Sequence, residues 1–417
     1  MTNKWTIGLA ALGLVSLTPG LLAQTTPEPA PAPAAPAAPV LVPVVTALSA
    51  TTISGYVDTS AVWNPGTGNA NPAPYAFNAG KQDGFNVDSV DVKIAKAQEE
   101  NKWSGGYVLE LMFGPDGAGI TGGNSLGGAE YIRQAYVSLA VPVGNGLDFQ
   151  IGRWDNLLGY ESSDSYKNPN WTRSYGYSME PTEHTGVLGT YKFTDLIQVQ
   201  VGVADDLSTV PINSRSATAT GPVVEDKKAV VTLLSLTAPD SWGPLKGSGF
   251  YAGFDHGQGV YGHDTTEWYV GATINTPVKD LTFGASYDSI AHLDVLGKDG
   301  GHSMAVAGYG SYKLTDKLTF NGRAEYAMGS ALGALADADN AGTYTPGAPG
   351  NNPLDKVFAL TGTLQYDLWA NVITRLEIRW DHAANGADAF GGNGSLGSVA
   401  PDKRNEVMFA ANVIYKF

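Results

Sequence analysis

The sequence contains no cysteine in its 417 residues. Disulfide bonds, thiolate metal sites, cysteine nucleophiles and a lipid-modified N-terminal cysteine are therefore excluded. Charged residues are also scarce, at 16% of the chain against roughly 25% in average usage. Basic residues are the rarer sign, since 25 Lys and Arg stand against 40 Asp and Glu and give a formal net charge of −15. We expect no nucleic-acid partner, because its phosphates would meet a like-charged surface.

Long hydrophobic runs are also missing after the N-terminal region, so no membrane-spanning helix is predicted. Residues 1–23 have the features of a secretory signal peptide, with Lys4 before an apolar stretch and Leu21–Ala23 as a cleavage site. Residues 24–48 are rich in Pro and Ala. Such a segment favours an extended polyproline II conformation and predicts a periplasmic spacer. The remaining residues, 49–417, are predicted to form one body.

From residue 51 onward, apolar and polar residues alternate with the period of two that is typical of β-strands. In the segment 371–382, for example, Val372, Leu376 and Ile378 alternate with Arg375 and Glu377. Most of these segments approach the ~9–11 residues that a tilted strand needs to cross a bilayer. The predicted strands are 51–63, 84–98, 102–113, 130–142, 147–156, 183–193, 196–205, 228–238, 246–256, 265–276, 281–290, 303–314, 317–328, 355–367, 371–382 and 404–417.

The connections between these segments alternate between short and long, and only 239–245 and 257–264 blur the pattern. Short turns at one end, long loops at the other and both termini on the short side are typical of an outer-membrane barrel. A closed barrel also pairs every backbone group within hydrocarbon. We therefore predict an all-β fold, a transmembrane antiparallel β-barrel of about 16 strands (range roughly 14–18), with short periplasmic turns and long extracellular loops.

Strand parity places a set of charged side chains on the polar face of the barrel, toward the lumen. On the lipid face, each Lys or Arg would cost up to roughly 2–4 kcal/mol at the midplane. Rings of charge at a constriction select ions and orient polar solutes, whereas opposite charges could also merely neutralise one another. The predicted pore-lining residues are Asp58, Asp91, Lys93, Glu110, Asp148, Glu267, Asp288, Arg323, Glu325, Arg375, Glu377, Arg379 and Asp381.

The arginines of this set suggest a further hypothesis about the electric field in the pore. Arg323, Arg375 and Arg379 lie on late strands and would form a basic wall. If the acidic residues of the early strands lay across the lumen from it, the pore would carry a transverse field.

The stretch from Glu130 to Asp206 carries a family resemblance. Its matching features are Arg133, Gln134, Gly152, Arg153, Gly159, Glu161, Asn168, Arg173, Ser174, Pro181, His184 and Gly186. In these residues the stretch resembles the OmpL-like family of β-barrel porins from Gram-negative outer membranes. The terminal strand, with Phe409, Tyr415 and Phe417, also looks like the signal that the outer-membrane barrel assembly machinery reads. The resemblance implies a porin-like protein and indicates no particular ligand.

Motifs for catalysis, metal binding or cofactor binding are weak. The six His residues show no HExxH spacing, and no GxSxG motif is present. The segment Asp337–Asn340 lacks the ligand spacing of an EF-hand loop. The segment Gly114–Gly128 has no Lys or Arg with which to bind phosphate, although a long loop there could fold inward and narrow a pore. We predict no cofactor, no metal and no enzymatic activity.

The leading hypothesis is an outer-membrane porin that passes small hydrophilic solutes or ions by passive diffusion through a mixed-charge lumen. Its expected partners are outer-membrane lipid and lipopolysaccharide, the assembly machinery, and further copies of itself in a homo-oligomer. Three alternatives stay open at this point. They are a structural or surface-interaction barrel with a plugged pore, an outer-membrane enzyme, and an exported soluble β protein that binds carbohydrate.

Overall fold

A computed structural model describes most of the chain from residue 50 to the C-terminus. The described residues are 50–66, 68, 70–73, 81, 83–99, 102–117, 131–207, 212–213, 227–259, 263–295, 298–299, 301–330, 353–393 and 399–417. The predicted signal peptide 1–23, the predicted spacer 24–48, the segment Asp337–Asn340 and most of Gly114–Gly128 lie outside the described residues.

Sixteen long β-strands form the wall of the molecule, and each overlaps one of the predicted segments. They are β1 (Thr51–Trp63), β2 (Gly84–Lys96), β3 (Ser104–Phe113), β4 (Ile132–Val141), β5 (Leu147–Asp155), β6 (Glu183–Lys192), β7 (Ile197–Ala204), β8 (Ala229–Thr237), β9 (Gly249–Gln258), β10 (Asp264–Asn275), β11 (Leu281–Ala291), β12 (His302–Lys313), β13 (Leu318–Gly329), β14 (Lys356–Trp369), β15 (Val372–Ala383) and β16 (Asn405–Lys416). A two-residue ladder, Asp294–Val295 with Lys298–Asp299, lies between β11 and β12.

The strands close into a single antiparallel barrel in which each strand pairs with its neighbour in sequence. Closure is made by β1 and β16, with Tyr56 opposite Lys416 and Trp63 opposite Phe409. A closed sheet has no free edge, so the ladder satisfies the backbone groups of every strand. The predicted all-β barrel of about 16 strands is therefore confirmed.

Loop lengths are sorted between the two ends of the barrel. The β4–β5, β6–β7 and β12–β13 turns are short, whereas the β1–β2, β5–β6 and β13–β14 connections at the other end are long. The two irregular connections are those at which the sequence pattern blurs. The β8–β9 turn is lengthened by a 3-10 turn at Asp240–Leu245, and the β9–β10 loop has only residues 259–263.

Side chains alternate between the two faces of the wall as the sequence predicts. On β13, Phe320 and Tyr326 are exposed on the outer face, while Asn321, Arg323 and Glu325 are buried inside. The parity of β8 is ambiguous in sequence, and the structure places Val231 and Leu233 inside and Val230 and Leu234 outside. The inward face of β8 is apolar because Leu157, Leu158 and Leu207 pack against this part of the wall.

The expectation of a uniformly polar lumen is wrong for part of the interior. A buried cluster includes Trp171 and Met179 together with small or apolar strand residues such as Ala305, Val357 and Met408. These strand positions face inward and carry apolar side chains because segments of the long loops pack against them. Among the described residues, no helix is long and apolar enough to span a membrane.

The lipid-facing parity of β15 generates a stability prediction. Ile378 lies on the outer face at the middle of this strand, and Thr374 lies on the same face near its short-turn end. We expect Ile378→Lys to cost roughly 2–4 kcal/mol and Thr374→Lys about 0–1 kcal/mol, because the cost of a cation depends on its depth in the bilayer. Urea unfolding in lipid vesicles, followed by tryptophan fluorescence, measures both. Equal costs at the two positions would contradict the assigned depth.

Candidate functional site

The long β5–β6 connection, residues 156–182, folds into the barrel, and we call it the inward loop. It contains two short 3-10 turns, Ser165–Lys167 and Tyr177–Met179, and most of its side chains are buried. Its residues contact strands β1, β2, β4 and β8–β15. The inward loop is therefore held from several sides of the lumen.

Arg323 on β13 is the centre of the first group of loop contacts. Its guanidinium donates to the carbonyl oxygens of Thr172 and Arg173, at 2.8 and 3.0 Å. The same group pairs with Glu161 of the inward loop at 2.7 Å and with Glu325 on its own strand at 2.9 Å. One buried cation thus satisfies loop carbonyls and is neutralised by carboxylates on both the loop and the wall.

The two arginines of β15 bind other carbonyl groups of the inward loop. Arg375 donates to the carbonyl oxygens of Ser165 and Asn168, at 3.1 and 2.7 Å. Arg379 donates to the carbonyl oxygen of Arg173 at 2.6 Å. Arg379 is held in place by the carboxylate of Asp381, at 2.8 Å from its Nε.

The acidic residues of the same wall accept hydrogen bonds from the backbone N–H groups of the loop. Glu377 accepts from the amides of Trp171 and Thr172, at 2.6 and 3.0 Å. Glu325 accepts from the amide of Tyr175 at 2.8 Å. The alternating charges of the wall therefore match the donors and acceptors of a loop backbone that forms few ladder bonds of its own.

A second anchor of the inward loop lies on the other side of the β1–β16 closure. Arg133 on β4 binds the carboxylates of Glu110, Asp155 and Asp164. Burial alone would raise the pKa of Asp164, but the cations Arg133 and Lys167 outweigh burial and hold that pKa below its ordinary value. Asp164 therefore stays ionised and ties the loop to this wall.

The same anchor contains the grouping that most resembles a metal site in the described part of the chain. Carboxylate oxygens of Asp91, Glu110 and Asp164 all lie within 4.8 Å of one another. Arg133 already binds Glu110 and Asp164, and the Lys93 ammonium lies 2.7 Å from Glu110. These cations already neutralise the carboxylates, so the donor set does not fit a metal ion.

Aromatic and aliphatic contacts complete the seating of the inward loop. Tyr160 stacks on Tyr309 of β12, with ring centroids 4.0 Å apart. Tyr166 meets Tyr56 of β1 edge to face, with centroids 5.2 Å apart. Leu158 packs on the β8–β10 wall. These contacts fix the first part of the inward loop, from Leu158 to Tyr166.

A third part of the wall, on β9–β11, carries acidic side chains and no arginine. Asp255 and Glu267 are directly opposite each other across the β9–β10 ladder, and Asp288 lies on β11. All three are buried. Asp288 lies against Gly176 of the inward loop and forms a hydrogen bond with Glu180. This acidic row has no counterpart of the arginines that neutralise the other walls.

The structure places the thirteen predicted pore-lining residues on the strands with their side chains inside the barrel. Eleven are buried, and only Lys93 and Asp148 are partly exposed. Instead of standing free in the lumen, most of them hold the inward loop or one another. Contact of these residues with a permeating solute stays a prediction.

The hypothesis of a basic wall opposite the early acidic residues is wrong for Asp58. Closure pairs β1 with β16, and β16 with β15, so Asp58 lies two strands from Arg375. Asp58 therefore lies beside the basic wall, whereas Asp148 on β5 lies farther round the barrel. Glu267 and Asp288 of β10 and β11 have no ion pair with a basic side chain in the described part of the chain.

The residues that carry the family resemblance lie in the inward loop and on strands β4–β6. Arg133, Glu161 and Asn168 have the loop contacts described here, and Gln134 donates to Glu110 at 2.8 Å. The other matched positions are Gly152, Arg153, Gly159, Arg173, Ser174, Pro181, His184 and Gly186. Phe409, Tyr415 and Phe417 of the predicted assembly signal are exposed on the outer face. Their role in assembly stays a prediction.

His184 is the one histidine of the resemblance, and the structure supports a structural position for it. It is buried at the start of β6, with Nε2 3.4 Å from the Asp255 carboxylate and 3.2 Å from the Asn156 side-chain oxygen. These contacts join the first residue of the inward loop to the acidic row.

Several loop residues that contact the wall were missed in the sequence. Trp171 donates to Asp88 at 3.2 Å, Asn170 donates to Thr363 at 2.7 Å, and the Tyr175 hydroxyl donates to Asp381 at 3.0 Å. The inward loop has no periodicity that reveals which side chains face the wall. The available signal was its concentration of aromatic and polar residues, which is unusual for an exposed loop.

Comparison with known proteins agrees with this geometry. The model of the family described as "Putative beta-barrel porin-2, OmpL-like" matches residues 50–417. Among curated proteins, none matches the sequence.

Solved porin structures share the fold at low sequence identity. The anion-selective porin from Comamonas acidovorans is 13% identical with a TM-score of 0.56, over 88% of this chain and 99% of that chain. OprB of Pseudomonas putida is 12% identical with a TM-score of 0.55, over 90% and 96%. The channel DcaP of Acinetobacter baumannii is 13% identical with a TM-score of 0.53, over 88% and 97%. The chain belongs to the OmpL-like β-barrel porin family and is an outer-membrane porin.

Proposed function

We propose that the protein is a passive channel for small hydrophilic solutes and ions, and that the inward loop forms its constriction. The observation that carries this proposal is the fixed position of residues 156–182 inside a barrel of sixteen strands. Barrels of 16–18 strands are wide enough to leave an aqueous channel. A loop held within such a barrel narrows the path and brings protein groups close to the solute.

The rigidity of the constriction follows from its anchors. Removing one partner of a buried ion pair is strongly destabilising because a charge is left without compensation. Arg323 and Arg133 each bind carboxylates of the inward loop, on different walls. We infer that the loop is a permanent part of the pore, which sets a constant size limit for solutes.

The remaining expectations from the sequence belong to this proposal as well. We propose export by the signal peptide 1–23, a periplasmic spacer at 24–48, and contacts with outer-membrane lipid, lipopolysaccharide and the assembly machinery. We also propose that the protein catalyses no reaction and works without a cofactor. Homo-oligomer formation is supported by one structural neighbour, an in-vitro folded OmpT of Vibrio cholerae described as a trimer form.

A second candidate function is favoured by the extent of loop packing. The inward loop contacts several sides of the wall, and the charges that hold it are buried. If these contacts closed the lumen, the protein would be a structural or surface-interaction barrel with a plugged pore. Conductance separates the two functions.

We expect the purified protein to give discrete conductance steps in a planar bilayer. Replacing residues 160–179 by a short Gly-Ser linker should raise the step size severalfold, because it removes the constriction from a wide barrel. Shortening the exposed turn at Asp240–Leu245 is the matched control and should leave the steps unchanged. A silent wild type that conducts only after loop removal would favour the plugged barrel.

The role of Arg323 gives a second prediction. We expect Arg323→Met to increase tryptic cleavage after Arg173 by more than about tenfold, because losing one partner of a buried ion pair costs roughly 3–5 kcal/mol and raises the population of the released loop. Mass spectrometry of timed digests measures the cleavage. Arg404→Met, which removes an exposed arginine, is the control. Unchanged cleavage in Arg323→Met would show that this residue does not hold the loop.

A further inference from the structure

A cavity of about 220 Å³ lies between the two ends of the inward loop. We call these ends its first limb, residues 156–163, and its second limb, residues 177–182. Residues 155–163 line one side, and Tyr177 and Glu180–Thr182 line the other. Its charged lining residues are Asp155, Glu161 and Glu180, and neither Lys nor Arg lines it. The remaining polar groups are largely hydroxyls and amides, so the cavity presents oxygen atoms and negative charge.

The carboxylate of Glu180 is placed in this cavity by a backbone feature of the opposite limb. Gly159 has a φ of 114°, in the region that favours glycine, and a Cβ at this position would collide with the Glu180 carboxylate. Any larger residue would displace Glu180. The limb is therefore shaped to bring this carboxylate close to the backbone of its partner limb.

The acidic row lies directly behind Glu180. Asp288 forms a hydrogen bond with Glu180, and Glu267 is within electrostatic reach of both. Glu267 is 1% exposed, and neither of its carboxylate oxygens has a hydrogen-bond partner among the described residues. The charged groups that act on Glu267 are Asp255 and Asp288, which are both acids.

The arginines of the lumen do not compensate this row. Arg323, Arg375 and Arg379 are buried and bonded to loop carbonyls and to their own carboxylates. Glu161 is the member of the cavity lining that Arg323 neutralises. Asp155 of the lining is paired with Arg133. A solute in the cavity therefore meets the acid of Glu180, which is backed by Asp288 of the β9–β11 wall, while the arginines nearby are already bonded.

We propose that this cavity is part of the solute path and selects for cations, with Glu180 as the group that the solute meets and Glu267 as a positioning charge in the wall behind it. The inference rests on the proposed porin function. The favoured solutes are small inorganic cations and protonated organic amines, because uncompensated carboxylates in a low-dielectric wall attract positive charge and repel anions.

Proton binding by the same groups makes the selectivity depend on pH. Burial, reinforced by the acids Asp288 and Glu267, raises the pKa of Glu180 well above its ordinary value. A raised carboxyl pKa means that negative charge is lost at a higher pH than for an exposed glutamate. The other titratable groups facing Glu180 are Glu161, Tyr177 and Tyr269. Cation preference should therefore increase as the pH rises.

The test is the reversal potential of single channels in a KCl gradient, which gives the ratio of K⁺ to Cl⁻ permeability. We expect a ratio above one at about pH 8 that falls toward about pH 5. Glu180→Gln and Glu267→Gln should each lower the ratio by about twofold or more at the higher pH. Glu99→Gln, at an exposed position in a periplasmic turn, should leave it unchanged.

The outcomes separate this inference from the porin function. A conducting channel that prefers Cl⁻, or whose ratio does not change with pH, would overturn the cation selectivity and leave the porin function intact. A protein that inserts and stays silent would contradict the porin function itself. If a glutamine variant does not fold, as judged by its gel mobility before and after heating, the pH series of the wild type still decides the question.

Discussion

The inward loop depends on a single physical requirement, which is that a backbone removed from water needs hydrogen-bond partners. Residues 156–182 lie inside a barrel whose strands already pair with one another, so the ladder has few donors or acceptors to offer. The side chains of the wall meet this need. Arg323, Arg375 and Arg379 donate to carbonyl oxygens of the loop, and Glu325 and Glu377 accept from its amides. The charged side chains of the wall and the backbone of the loop therefore depend on each other, because each supplies the hydrogen-bond partners that the other needs.

This requirement also explains why the charges of the barrel are unevenly used. Where the loop backbone approaches the wall, both signs of charge are present and each is bonded. The β9–β11 wall meets the loop through Gly176 and Glu180, which bring no cation to it. Asp255 has the His184 imidazole 3.4 Å away, whereas Glu267 and Asp288 are left without a basic partner among the described residues, so their charge is neutralised by protons or by passing ions. The arginine-bearing wall and the β9–β11 wall therefore differ in charge compensation partly because the loop presents different groups to each of them.

Much of the barrel could be predicted from the sequence because a strand in a membrane has a strict period of two. The alternation of Leu376, Glu377 and Ile378 was enough to orient β15, and the sorting of loop lengths was enough to orient the barrel. The lateral neighbours of β1 were harder to predict, because closure joins residues at opposite ends of the chain, and Asp58 was consequently assigned to the wrong side of the lumen. The inward loop was not predicted, since its contacts with Arg323 and Arg133 are set by tertiary structure and leave no period in its own sequence. The apolar inner face of β8 has the same origin, because it makes sense only once Leu158 is known to pack there.

The selectivity of a porin is set by the side chains of its site and not by its fold. The anion-selective porin from Comamonas acidovorans shares the barrel at 13% identity, and a shared fold does not fix the chemistry of the site that it carries. Selectivity is decided by the few groups that a solute meets at the narrowest point, where the dielectric constant is low and charges act over short distances. In this chain the basic groups near that point are bonded to the loop, whereas Glu180 borders an open cavity. In the proposed channel, the loop therefore decides which of the charges on the surrounding strands act on a solute.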